Sequence, residues 1–136
     1  MSFPEDLLKE LLRRWHMVKK YHENYLKHLE SREYDKASEN LWGIVNNLAS
    51  MLSLLLGGKP IGKHDELRKF VNELISLKGD IRLKGLLLAC ERLHANFFHN
   101  FMDEQQFEEH RVKAEELISI LEKCIDEELR KYGITI

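Results

Sequence analysis

The chain has 136 residues, of which 32% are charged and 43% hydrophobic, and only nine are glycine or proline. This length supports one hydrophobic core, and the composition excludes a disordered or fibrous chain, so we expect one helical domain over residues 1–136. The net charge of −2 excludes nucleic-acid binding through overall charge, so any such contact must be local. No apolar run approaches the roughly 20 residues of a membrane span, which predicts a cytoplasmic protein without membrane contact.

The first helix is predicted from apolar residues that recur every three or four positions between Leu8 and Leu29. His22 is the only polar residue on that stripe. We interpret it as a histidine hydrogen-bonded at the edge of the core, with ligand binding as the alternative. The same stretch carries six basic residues against two acidic ones, and Arg14 is among them. Such a basic face is either solvated or available to RNA.

A second helix is predicted over residues 34–56, after a link so short that the two helices should pack antiparallel. Apolar residues cover more than half of its circumference, which predicts that it is the central helix of the bundle. Trp42, Asn46 and Asn47 interrupt this apolar pattern on one side. We therefore expect a partly exposed face there.

The remaining breaks and caps divide the rest of the chain into three helices. The longest break covers residues 57–63 and begins with two glycines, which favour the left-handed conformation at a helix end. A short helix is predicted over residues 65–77. The last helix should begin after Asp103, which has the capping-box spacing with Gln106, and should run to about Tyr132. The predicted fold is an all-α, five-helix antiparallel up-and-down bundle.

The fourth helix, residues 83–101, combines the densest apolar pattern of the chain with arginine, histidine and asparagine. Its inward face is predicted to consist of Leu86, Ala89, Cys90, Leu93, Phe97 and Phe101. Cys90 and the second cysteine, Cys124, both lie on apolar stripes without a motif partner. We expect both to be reduced core thiols.

Three polar residues of this helix are predicted to share one flank, because spacings of four and three bring Arg92, Asn96 and His99 together. Such a cluster can converge on a phosphate group, and it is the candidate catalytic site. The alternative is structural: Arg92 pairs with an acid of the last helix, and His99 caps its own helix. His94 lies on the opposite flank with Phe98 and is a candidate binding residue.

Several kinds of site are excluded by spacing. The chain has seven histidines, but no two are four residues apart as in a helical zinc site, so we expect neither metal nor cofactor. The glycines after the second helix do not complete a phosphate-loop motif, which also requires a preceding strand. Neither the glycines of a dinucleotide-binding fold nor a serine nucleophile elbow is present.

Three short stretches resemble a known family in their order along the chain. They are YDKA at residues 34–37, GKHDEL at residues 62–67 and LHANFF at residues 93–98. With the helices around them, they resemble the HEPN superfamily, and more narrowly the archaeal PaREP family of small HEPN-like proteins. The resemblance implies an antiparallel helical bundle that pairs as a homodimer.

The resemblance also implies a site. In ribonuclease members of HEPN, an arginine followed by histidine lies at the dimer interface just before the last helix. Arg92 and His99 occupy that place here. In such members the pair promotes metal-independent attack of a ribose 2′-hydroxyl on the adjacent phosphate, with arginine stabilising the phosphate charge. HEPN toxins are typically paired with a nucleotidyltransferase antitoxin, which is therefore a possible protein partner.

Three functions are compatible with these observations. We favour a non-catalytic HEPN-like module that binds nucleotide, RNA or a protein partner. The first alternative is a toxin-type endoribonuclease that uses Arg92 and His99. The second is a structural dimerisation bundle. In all three we expect dimer contacts at Leu88, Phe98 or Trp42, because each lies off the main apolar stripe of its helix.

Overall fold

The computed structural model describes residues 3–136 and consists of five α-helices, with no strand in that range. The helices are α1 (Glu5–Glu30), α2 (Tyr34–Leu55), α3 (His64–Lys78), α4 (Arg82–His99) and α5 (Glu104–Arg130). The all-α prediction with five packed helices is confirmed. Across the described residues, no helix combines the length and the apolar character needed to cross a membrane.

Helix α2 is the centre of the fold, as its apolar circumference predicts. Fifteen of its 22 residues are buried, and it is in contact with each of the other four helices. Helix α1 packs on α2 alone, whereas α4 and α5 pack on α2 and on each other, and α3 lies against α4 and α2. This arrangement leaves α1 and α5 side by side on α2 without backbone contact between them.

The close packing of α1 on α2 depends on a glycine. A Cβ atom added to Gly43 would lie 2.7 Å from the ring of Tyr21, so a larger residue there would require this ring to move. Nearby, Arg14 of α1 donates a hydrogen bond to Asn47 Oδ1 of α2 at 3.2 Å, and Asn47 donates to the Gly43 carbonyl. Asn47 is therefore buried, and the prediction that it belongs to a partly exposed face is wrong.

The two serines within the apolar part of α2 hold the following loop. Ser50 Oγ accepts a hydrogen bond from the backbone N–H of Ile61, and Ser53 Oγ donates to the Lys59 carbonyl. These bonds draw Ile61 into the core, where it is buried. The loop that precedes α3 is thus held against α2 by polar groups that would be costly to bury without partners.

Candidate functional site

The three polar residues of α4 that were predicted to share one flank do not do so, because Asn96 is fully buried. Its side chain accepts a hydrogen bond from the backbone N–H of Met102 at 2.9 Å and donates one to Ser38 Oγ at 3.2 Å. Arg92 and His99, in contrast, are exposed. Asn96 therefore positions the turn after α4 and is unavailable to a ligand.

The predicted inward face of α4 is correct up to Leu93 and wrong for its last turn. Phe97 and Phe101 are exposed, and Asn96 takes the inward position. The physical reason is the turn: Asn100 adopts a left-handed conformation with φ of 43°, which ends the helix before Phe101. The buried N–H of Met102 then requires an acceptor, which a phenylalanine at the inward position could not supply.

Arg92 is paired with a histidine of α5 that the sequence analysis did not single out. Arg92 Nε donates a hydrogen bond to His110 Nε2 at 3.0 Å. His110 Nδ1 lies 2.6 Å from the Gln106 carbonyl, and because a carbonyl only accepts, Nδ1 carries the proton and Nε2 is the acceptor. Both ring nitrogens of His110 are therefore engaged, and the guanidinium of Arg92 is held in place.

The terminal nitrogens of Arg92 are free to bind an anion. Its Nη atoms form no hydrogen bond, and its guanidinium no ion pair, with any residue of the 3–136 range. The guanidinium carbon lies 5.6 Å from the centre of the Phe101 ring, which supports a cation–π contact. A planar guanidinium fixed by Nε presents its two Nη groups as a fork that matches two phosphate oxygens.

His99 is the last residue of α4 and is exposed. Within the described part of the chain, its ring has no hydrogen-bond partner to fix its orientation. The structure thus places Arg92 beside His110 rather than in a bonded pair with His99. The alternative that Arg92 pairs with an acid of the last helix is also wrong, because its partner on α5 is a neutral histidine.

Arg92 lies at the end of an open groove of about 780 Å3 between α3 and α4. The α4 wall exposes Ile81 and Leu88, with 79% and 59% of their surfaces accessible. Gly85 lies between them, and a Cβ atom there would meet no other atom within 4 Å. Ala95 completes the stripe one turn beyond Arg92. The groove therefore has an apolar wall with small residues. Its charged lining consists of Lys84, the Arg68–Glu91 ion pair and the guanidinium of Arg92.

His94 belongs to a different cluster on the other side of α4. Its ring stacks on Trp42 of α2 with centroids 4.6 Å apart, and His64 and Phe98 contact it edge-on. His94 Nδ1 donates to Glu39 Oε2 at 2.8 Å. Trp42 is only 8% exposed under this cluster, so the prediction that it belongs to a partly exposed face is wrong, whereas Asn46 of the same predicted face is half-buried. The expected dimer contact at Trp42 stays a prediction. Phe98, at 65%, remains exposed.

The two candidate binding residues of α1 have different environments. Arg14 is largely buried, and its guanidinium is bonded to Glu10 and Asn47. Over its whole length α1 has six basic and five acidic residues, and Glu5 and Glu10 pair with Lys9, Arg13 and Arg14. His22 is exposed rather than hydrogen-bonded in the core, and it lines a groove between α1 and α5.

The cysteines and the acidic residues add no reactive group. Cys90 and Cys124 are both buried and unpaired, and burial raises the pKa of the Cys90 thiol to about 12, so it is not a nucleophile at neutral pH. Among residues 3–136, no three histidine, cysteine or acidic side chains are arranged to hold a metal ion.

A family model matches this chain over the region that contains the site. It is the model of the archaeal PaREP1/PaREP8 family, and it matches residues 13–118, from α1 into α5. Arg92, His99 and His110 all lie inside the matched range. No curated protein and no solved structure matches the chain. Because the match covers most of its length, the chain belongs to the archaeal PaREP1/PaREP8 family.

Proposed function

We propose that this protein is a non-catalytic, HEPN-like module that binds single-stranded RNA through the phosphate fork of Arg92. The observation that carries this proposal is the exposure of the Arg92 side chain together with its contacts. Arg92 is exposed, its Nε is fixed by His110, and it is not neutralised by a carboxylate among the described residues. A free arginine fork in a fixed orientation is the group that proteins use to bind phosphate oxygens.

RNA is favoured over a free nucleotide by the shape of the surface around Arg92. The groove is open rather than enclosed, and the Phe101 ring, which contacts the Arg92 guanidinium, is exposed at the end of α4 together with the ring of Phe97. Exposed rings beside an arginine suit unpaired bases, which stack on aromatic faces while the backbone phosphates contact the cation.

Binding without cleavage is favoured by the histidines. Attack by a ribose 2′-hydroxyl requires a group that removes its proton. Both ring nitrogens of His110 are already engaged, with the Gln106 carbonyl and with Arg92, so His110 cannot take that proton. His99 has no oriented ring within the described chain. Neither of these two histidines is therefore set up as a general base.

We also propose that two copies pair through the exposed face of α4, which would place two Arg92 forks near one two-fold axis. Ile81, Gly85, Leu88, Arg92 and Ala95 are spaced alternately by four and three residues, as in helices that pack lengthwise. The small side chains allow two backbones to approach, and the exposed leucine and isoleucine supply apolar area to bury.

RNA binding is tested by fluorescence anisotropy with an end-labelled single-stranded oligonucleotide. Arg92→Ala should weaken binding by about tenfold, since a charged hydrogen-bonding group is lost. It should also lower the salt dependence of the affinity by the amount expected for about one phosphate contact per copy. The matched control is Arg130→Ala, because Arg130 is also exposed and its side chain has no bonded partner in the described structure. If both variants weaken binding equally, the interaction reflects general charge and the proposal fails.

The same samples decide between binding and cleavage. We expect the RNA to remain intact during incubation without divalent metal. Cleavage by the wild type that is lost in His99→Ala would contradict the non-catalytic proposal and establish the ribonuclease alternative. Absence of both binding and cleavage would leave only the structural bundle.

Pairing of two copies is tested by sedimentation equilibrium. Leu88→Asp should convert a dimer into a monomer, because a carboxylate would be buried without a partner at the α4 face. The control is Leu12→Asp, which introduces the same charge at an exposed leucine of α1, far from α4. A wild-type protein that is monomeric at tens of micromolar would refute the pairing.

A further inference from the structure

A groove of about 640 Å3 runs between α1 and α5, because both helices pack on α2 and not on each other. Leu41 and Ile44 of α2 form its floor, and Val18 and Ile118 contribute to its walls. This volume lies within the range of sites for small molecules, which are mostly apolar with a few polar groups. The groove is separate from the Arg92 site.

One end of this groove is lined by charged side chains that are bonded to one another. Tyr25 of α1 donates a hydrogen bond from its hydroxyl to Glu115 of α5 at 3.3 Å, and Glu115 also binds Arg111. Glu108 is bonded to the same arginine. Burial and the neighbouring Glu115 raise the pKa of Tyr25 to about 12, so its hydroxyl stays neutral. Both carboxylates are bonded to the guanidinium, so this cluster offers a ligand no unpaired carboxylate.

The opposite end carries uncompensated negative charge. Glu122 lies there beside Trp15, and both residues also line an adjoining cavity of about 190 Å3 that includes Asp126. Within the part of the chain that the structure describes, neither carboxylate forms an ion pair. Burial and Asp126 raise the pKa of Glu122, and His22 across the groove only partly counters this effect. Lys19 lines the α1 wall without bonding to either carboxylate.

We propose that this groove binds an organic cation with an apolar body, a protonated or quaternary amine whose charged group lies between Trp15 and Glu122. A cation on an indole ring beside a carboxylate is stabilised by both groups. The apolar floor accommodates the rest of the molecule. From Glu122 to Glu115 the groove extends seven residues along α5, about 10 Å at 1.5 Å per residue, which suits an aliphatic chain.

The experiment is isothermal titration calorimetry with three probes of equal chain length, used below their micellar concentrations: octyltrimethylammonium, octanol and octanoate. The cation should bind at least about tenfold more tightly than the other two, the difference that a charge-assisted contact supplies. Equal affinity for all three would show an unselective apolar groove and overturn the proposal, as would the absence of saturable binding of the cation.

Two variants test where the charged group of the ligand binds. Glu122→Gln keeps the shape of the side chain and should weaken binding of the cation about tenfold without changing octanol binding. Glu109→Gln is the control, because Glu109 lies on the same helix but does not line the groove. Trp15→Leu keeps an apolar surface and should weaken only the cation, by about fivefold. Unchanged binding of the cation by Glu122→Gln, with folding confirmed by circular dichroism, would overturn the proposal.

Discussion

Asn96 offers the sharpest test of how the turn between α4 and α5 is held. The substitution Asn96→Ala removes the acceptor of the Met102 N–H and the donor to Ser38 Oγ, at a site that is fully buried. Ser38 keeps its bond to the Tyr34 carbonyl, so it remains partly satisfied. The N–H of Met102 is left without an acceptor and cannot reach water.

The cost follows from these contacts. A buried donor without a partner costs about 1–3 kcal/mol, and the lost bond to Ser38 adds about 1 kcal/mol. We therefore expect the free energy of unfolding to fall by about 3 kcal/mol, which corresponds to a fall in Tm of about 10 °C for a chain of this length. Asn96→Asp should not restore stability, since a carboxylate can accept from Met102 but would be a buried charge.

Thermal and urea unfolding followed by circular dichroism measure this effect. The control is Asn72→Ala on α3, because Asn72 is exposed and its side chain has no hydrogen bond within residues 3–136. That variant should stay within about 0.5 kcal/mol of the wild type. If Asn96→Ala melts within about 2 °C of the wild type, the turn does not depend on Asn96 and the reasoning is refuted.

Three further predictions concern packing and ionisation. Gly43→Ala should destabilise the protein by about 1–3 kcal/mol in urea unfolding, because the added methyl clashes with the ring of Tyr21. Gly85→Ala, which meets open space within one copy, should stabilise the monomer by about 0.5–1 kcal/mol, and the opposite order of the two variants in the monomer would contradict the close packing of α1 on α2. In an alkaline absorbance titration, Tyr25 should ionise only near pH 12. Because the pKa of folded Tyr25 is raised, the stability that it contributes is fully present below about pH 10 and is lost as the pH rises through about 12. Ionisation of Tyr25 near pH 10 would contradict its buried contacts. Cys90 should resist iodoacetamide at pH 8 in the folded protein, as judged by mass spectrometry, since its thiol has a pKa of about 12; rapid labelling would show that the core opens.

The sequence predicts the fold well because each helix has a clear period and clear ends. The apolar circumference of α2 identifies it as central, and the capping box of Asp103 and Gln106 fixes the start of α5. The period fails at the last turn of α4. At about 100° per residue, Phe97 lies near the centre of the inward face and Asn96 at its edge, so both the period and apolarity favour Phe97. Asn96 takes the inward position because the turn after α4 needs a hydrogen-bond acceptor for the Met102 N–H. This requirement depends on the path of the turn, so it cannot be read from the helical period.

The site was less predictable, because its contacts join different helices. The fork of Arg92 depends on His110, eighteen residues further along the chain, and the sequence gives no indication that the two meet. The burial of Trp42 likewise depends on His64 and His94, which come from α3 and α4. A helical period places a residue on a face of its own helix. It does not identify the side chains of other helices that cover that face.

Helix α5 connects the two proposed binding surfaces through consecutive residues. His110 holds Arg92 of α4, whereas Arg111 belongs with Glu115 to the cluster that holds Tyr25 of α1. Consecutive residues of a helix point about 100° apart, so these contacts fix two different sides of α5. The helix is anchored on the core by buried residues that include Phe107, Ala114 and Leu117, and the two clusters share no side chain. Each surface can therefore be altered without moving the other, because a change at one leaves the α5 backbone and the opposite contacts in place.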